Sequence, residues 1–158
     1  MLNFRNFSFG SVSAVMTSLA MIIGLSNTPN AKASIVTALF IIAVADNISD
    51  SFGIHVHQES EATNAKEVQR ITFTNFFARL LITAVFILFV TFLPMNLAIA
   101  LSVLFGLAVI ISISYFIAKK QKANPYKAIM QHLAIAALVM IASFSLRQLA
   151  ADFVAKFF

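Results

Sequence analysis

The sequence predicts an all-α integral membrane protein with five transmembrane helices, and three observations carry that prediction. Hydrophobic residues make up 60% of the 158 positions and the mean hydropathy is +0.91, more apolar surface than a soluble domain of this length can hide. Only 11% of residues are charged, so the apolar residues run in stretches long enough to cross ~30 Å of hydrocarbon. Turn residues and short basic segments divide those stretches into five. With no internal repeat and no low-complexity tract, the chain reads as a single transmembrane domain, residues 1–158.

The first span, Phe7 to Leu25, is rich in small residues in its first half: Gly10, Ser11, Ser13, Ala14, Thr17 and Ser18 suit close helix contact. A signal peptide is the competing reading, with Arg5 before the apolar run and Ala31-Lys32-Ala33 as a cleavage site. The length of the run favours a span. Asn27-Thr28-Pro29-Asn30 then makes a turn.

The second span covers Ala33 to Val56 and leads into a polar connection, Gln58 to Thr74, that holds Glu59, Glu61, Lys66, Glu67 and Arg70. A third span follows from Asn75 to Leu93, with Arg79 placed near its start so that its head would snorkel to the boundary. Pro94-Met95-Asn96 reverses the chain into a fourth span, Leu97 to Ala118. Lys119, Lys120, Lys122 and Lys127 come next, with Asn124-Pro125 as a breaker. The fifth span runs from Ala128 to Leu149, and the tail Ala150 to Phe158 is expected to lie along the interface.

The net charge of +5 reflects topology and anionic lipid rather than nucleic acid, because the basic residues cluster in the connections. One side of the membrane receives Arg5, Lys66, Arg70, Arg79, Lys119, Lys120, Lys122 and Lys127; the other receives Lys32, Arg147 and Lys156. The positive-inside rule therefore places the amino terminus inside and the carboxyl terminus outside. Cleavage of the first span would leave the orientation of the other four unchanged.

Function is concentrated in Ala43 to Glu61, where apolar residues carry two aspartates into mid-membrane. At 100° per residue Asp46, Asp50, Gly53, His57 and Glu61 share one face, flanked by Asn47 and Ser49. A carboxylate at the centre of a membrane helix costs roughly 2.5–3.5 kcal/mol on insertion scales. Asp46 and Asp50, one turn apart, can share a divalent cation or a proton. Hard oxygen ligands with an added imidazole suit Mn²⁺ or Fe²⁺. His57 would pair with Glu61 if the helix continues, forming a cation entrance; His55 and His57 would chelate together only in an extended chain.

The bland alternative ties the aspartates to neighbouring helices as packing locks. Ala45, Ser49 and Gly53, spaced by four beside the acidic face, would let another helix come close. His132 reads as a packing or headgroup contact, and the 17 phenylalanines need no cofactor. The chain has no cysteine, which excludes thiolate metal sites and cysteine nucleophiles. It also lacks a phosphate-binding glycine loop, a His-Glu-x-x-His helix and a Gly-x-Ser-x-Gly elbow. The chain is therefore not read as an enzyme, and no permanently bound cofactor is expected.

The segment Ala45 to Glu61, ADNISDSFGIHVHQESE, resembles the second helix of the vacuolar iron transporter family, where a polar, small-residue helix runs into a Ser-Glu pair like Ser60-Glu61. Phe9-Gly10 and Gly24-Leu25 bracket the first helix, Phe92-Leu93-Pro94 ends the third, and a basic connection precedes the fifth, in an order similar to that family. The resemblance implies a five-helix homodimer that moves Fe²⁺ or Mn²⁺ out of the cytosol in exchange for protons. Three features depart from the family. Ser13-Ala14 stands where its first helix has Asp-Gly, Asp50 stands at its second-helix methionine, and the glutamate-rich cytosolic metal-binding domain is replaced by a short connection. Asp46 and Asp50 would then supply the charge missing from the first helix.

The expectation is a divalent-metal transporter with Asp46, Asp50, His57 and Glu61 as metal residues and Asn47, Ser49 and Ser13 as a supporting polar path. Its membrane would be the cytoplasmic membrane of a prokaryote, or a vacuolar membrane in a eukaryote. The alternative is a non-transporting scaffold that uses the Asp46/Asp50 face for helix contact. An intramembrane enzyme acting on lipid is the weakest reading.

Overall fold

Six α-helices and one π-helical turn make up the computed structural model, which describes residues 4–61 and 64–157. Helix α1 (Phe4–Leu25) is followed by α2 (Ala31–Ile41), a π-turn (Ile42–Asp46) and α3 (Asn47–Ser60), which run on as one rod. Then come α4 (Ala65–Phe92), α5 (Met95–Lys120) and α6 (Pro125–Phe157). Five rods are long and apolar enough to cross a membrane: Phe7–Leu25, Ala31–Ser60, Ala65–Phe92, Met95–Lys120 and Pro125–Ala150.

Several helices extend past the apolar runs that announce them. The connection read as Gln58 to Thr74 is helical on both sides, and only residues 61–64 join α3 to α4. The reason is local: the Asn64 side chain accepts from the Lys66 amide at 3.0 Å and caps α4, with Glu67 favourably placed in the first turn. Asn124 does the same for α6, accepting from the Tyr126 and Lys127 amides, while Pro125 takes the first helical position, where its missing N–H costs nothing. The tail from Ala150, expected along the interface, continues α6 as far as Phe157; Phe158 lies outside the described residues.

Helix α1 lies at the centre and touches α2, α4, α5 and α6. Its small residues permit this. A Cβ added at Gly10 would stand 2.6 Å from Asn75 Oδ1 and 2.9 Å from the Asn75 carbonyl oxygen, so α1 and α4 approach as closely as their backbones allow. A Cβ at Gly106 of α5 would meet Leu19 Cδ1 at 2.9 Å, a second close crossing. The apolar core joins Val15, Leu19 and Ile22 of α1 to Leu39, Phe86, Val90 and Ile110. Buried polar residues gather elsewhere: Ser8, Ser11, Asn47, Ser51, Asn75 and Arg79 are buried where α4 packs against α1 on one side and α3 on the other.

Candidate functional site

The acidic helix turn is built around Arg79. Arg79 lies in the middle of α4 (Ala65–Phe92), and only 2% of its side chain is exposed, so its head is held inside the bundle instead of reaching out to snorkel. This corrects the expectation of an interfacial arginine. Its Nη2 donates to Asp46 Oδ2, and its Nη1 reaches Asp50 Oδ2 at 3.3 Å and donates to Ser13 Oγ on α1. A guanidinium offers a rigid fork of donors, and here the fork spans two carboxylates one turn apart. Arg79 Nε is buried without a hydrogen-bond partner.

Asn75, one turn before Arg79, donates to Asp50 Oδ2 at 3.2 Å and to Ser51 Oγ at 3.1 Å. Asn47, expected to support the polar path, is held inside the helix contact. It is fully buried, and its amide donates to the Phe76 carbonyl at 2.9 Å and the Ala43 carbonyl at 3.4 Å. The second bond lies within the widened π-turn, a kind of irregularity that often marks functional positions. Asn47 therefore fixes α3 to α4, while Ser49 is exposed on the outer face.

The carboxylates are engaged from one side only. The Asp46 side chain is 47% exposed and that of Asp50 29%, and among the described residues the Oδ1 atom of each has no hydrogen bond. Beside them Ala45, Ser49, Gly53 and His57 are all exposed, and a Cβ at Gly53 would meet nothing within 4 Å. The small-residue stripe expected to receive another helix is thus open in the single chain.

His57 and Glu61 pair with each other at 3.7 Å, as a continuous helix requires. His55 points elsewhere, to Glu59 at 3.4 Å and Thr72 at 3.3 Å. Seven residues separate Asp50 from His57, roughly 10 Å of helix, so the four expected metal residues form two separate pairs. Among the described residues no three His, Asp or Glu side chains converge as a metal site. His132 is a packing contact in part: its Nδ1 lies 2.7 Å from Ser114 Oγ.

The scan against protein-family models finds no match, and no curated protein matches the chain. The likeness of Ala45 to Glu61 to the vacuolar iron transporter helix therefore rests on its residues alone. Arg79 stands at the centre of the site, not at the membrane boundary where proximity to the start of an apolar run would put it. Its signal was present in the four-residue spacing of Asn75, Arg79 and Thr83, which puts three polar groups on one face of α4. All three are buried.

Proposed function

We propose that this chain is a divalent-cation transporter that works as a homodimer, taking Fe²⁺ or Mn²⁺ from the cytosol in exchange for protons. The observation that carries the reading is the half-open Asp46–Arg79–Asp50 cluster. Asp46 lies midway along the 30-residue span Ala31–Ser60, where an exposed carboxylate does not face hydrocarbon without a large cost. A second copy laid on the same face removes that cost through an isologous contact.

Charge supports a cation at that contact. Two aspartates and one arginine leave one negative charge per chain, so two chains facing each other present two negative charges and four free carboxylate oxygens. One divalent cation neutralises them, and oxygen donors suit Mn²⁺. Protons and metal compete for the same oxygens, which supplies the exchange. Arg79 keeps the cluster from holding more cation than it can release. The likeness of Ala45 to Glu61 to a transporter helix points the same way, with His57 and Glu61 as an outlying cation-collecting pair.

Uptake of Mn²⁺ and Fe²⁺ into inverted membrane vesicles, read together with lumenal pH, tests the proposal. Asp46→Asn and Asp50→Asn, each expressed at the normal level, should reduce uptake to background. Uptake like that of the wild type in both variants removes the mechanism.

One observation favours a second reading. Arg79 ties both carboxylates to α1 and α4, as a packing lock would. A scaffold of that kind would purify from mild detergent as a stable complex with a different membrane protein, and the isolated chain would conduct no metal.

A further inference from the structure

A groove of ≈ 830 Å³ runs between the last turns of α1 and the far part of α6, at the end of the bundle opposite the lysine-rich connections. It is separate from the acidic cluster. Its volume falls within the roughly 300–1,000 Å³ of ordinary small-ligand sites. Met21, Gly24 and Leu146 give it a mostly apolar lining, to which Asn27 and Arg147 add polar groups.

Arg147 is the feature that selects an occupant. Its guanidinium lies 4.4 Å from the centre of the Phe144 ring and donates one hydrogen bond, from Nη1 to Ser26 Oγ at 3.2 Å. Among the described residues it forms no ion pair with a carboxylate. A guanidinium has five N–H donors, so a fixed and half-buried cation faces the groove with most of its donors available. Met21 and Leu146 belong to candidate membrane spans and are exposed, so the apolar lining is open to acyl chains.

We propose that this groove binds one anionic phospholipid, its phosphate on Arg147 and an acyl chain laid along Met21, Gly24 and Leu146. Arg147 reads phosphate well because its planar fork matches the spacing of two phosphate oxygens. Ser26 and Phe144 hold the fork in place from behind. Gly24 keeps the trough open: among the described residues a Cβ there would meet only Ser143 atoms, at 3.8 and 3.9 Å, and a longer side chain would extend into the space a lipid tail needs.

Native mass spectrometry of the full chain in mild detergent, with equimolar phosphatidylglycerol and phosphatidylcholine of matched chains, tests the site without reference to transport. The wild type should retain phosphatidylglycerol preferentially. Arg147→Gln should lower that preference roughly fivefold, the worth of one basic side chain near a membrane surface. Gly24→Leu should reduce retention of both lipids. Equal retention of the two lipids by the wild type overturns the proposal, whether or not the variants fold. So does an unchanged preference in Arg147→Gln, or a change of oligomeric state in Gly24→Leu, which would make the groove a contact between chains.

Discussion

At the scale of the residue, Arg79 decides what the two aspartates are. Each carboxylate gives one oxygen to the buried guanidinium, so removing one aspartate leaves Arg79 with the other as counter-ion. Removing both leaves it buried and unpaired. The double variant Asp46→Ala/Asp50→Ala should therefore lose more stability than the sum of the single variants, on the order of 3–5 kcal/mol for the stranded charge. Thermal unfolding in detergent micelles, arranged as a double-mutant cycle, measures the excess; additive losses would show that the guanidinium does not depend on the pair. The aspartates themselves are legible in the sequence because a helical period of 3.6 turns the spacing of 46 and 50 into a shared face. Arg79 was legible as one of three polar residues spaced by four, Asn75, Arg79 and Thr83, but that spacing does not say which helix the face meets, and proximity to the start of an apolar run suggested the membrane boundary instead.

At the scale of the element, helix ends and apolar runs follow different rules. Apolar runs mark where hydrocarbon lies, whereas helices end where backbone amides and carbonyls find other partners. Asn64 and Asn124, which read as loop residues, are the caps that start α4 and α6. The α5 end shows the same physics. Lys122 adopts φ 54°, and the Ala123 amide bonds the Ala118 carbonyl at 2.9 Å while the Lys122 amide bonds Lys119 at 3.3 Å, a Schellman closure without its usual glycine. Lys122→Gly should raise stability by on the order of 1 kcal/mol by relieving the left-handed conformation, seen as an upward shift in thermal midpoint. Gly10→Ala should do the reverse. Its methyl would press on Asn75 at 2.6 and 2.9 Å, and overpacking of this kind typically costs about 1–3 kcal/mol. The small residues of α1 announced that closeness in the sequence, though not which helix they would meet.

At the scale of the whole molecule, moving Arg79 from the membrane boundary into the bundle leaves the charge asymmetry in the same direction. Arg5, Lys66, Arg70 and the four lysines around the α5–α6 junction still outnumber Lys32, Arg147 and Lys156, so the amino terminus is still expected inside. The five spans were legible from hydropathy alone. The exposed face of Ala45, Asp46, Ser49 and Gly53 was legible as a contact surface, but not that it would remain uncovered within one chain. If a second copy covers it, Gly53→Leu should dissociate the pair while leaving the single chain folded, because nothing in that chain lies within 4 Å of the added Cβ. Light scattering in detergent would read the change in mass, and an unaltered mass would place the contact elsewhere. The proposed transport requires two acidic clusters to meet around one cation, which the stoichiometry of Mn²⁺ bound to the purified protein at equilibrium measures. One Mn²⁺ is expected for every two chains, lost in Asp46→Asn/Asp50→Asn; no binding, or binding that survives that double substitution, would overturn the shared site.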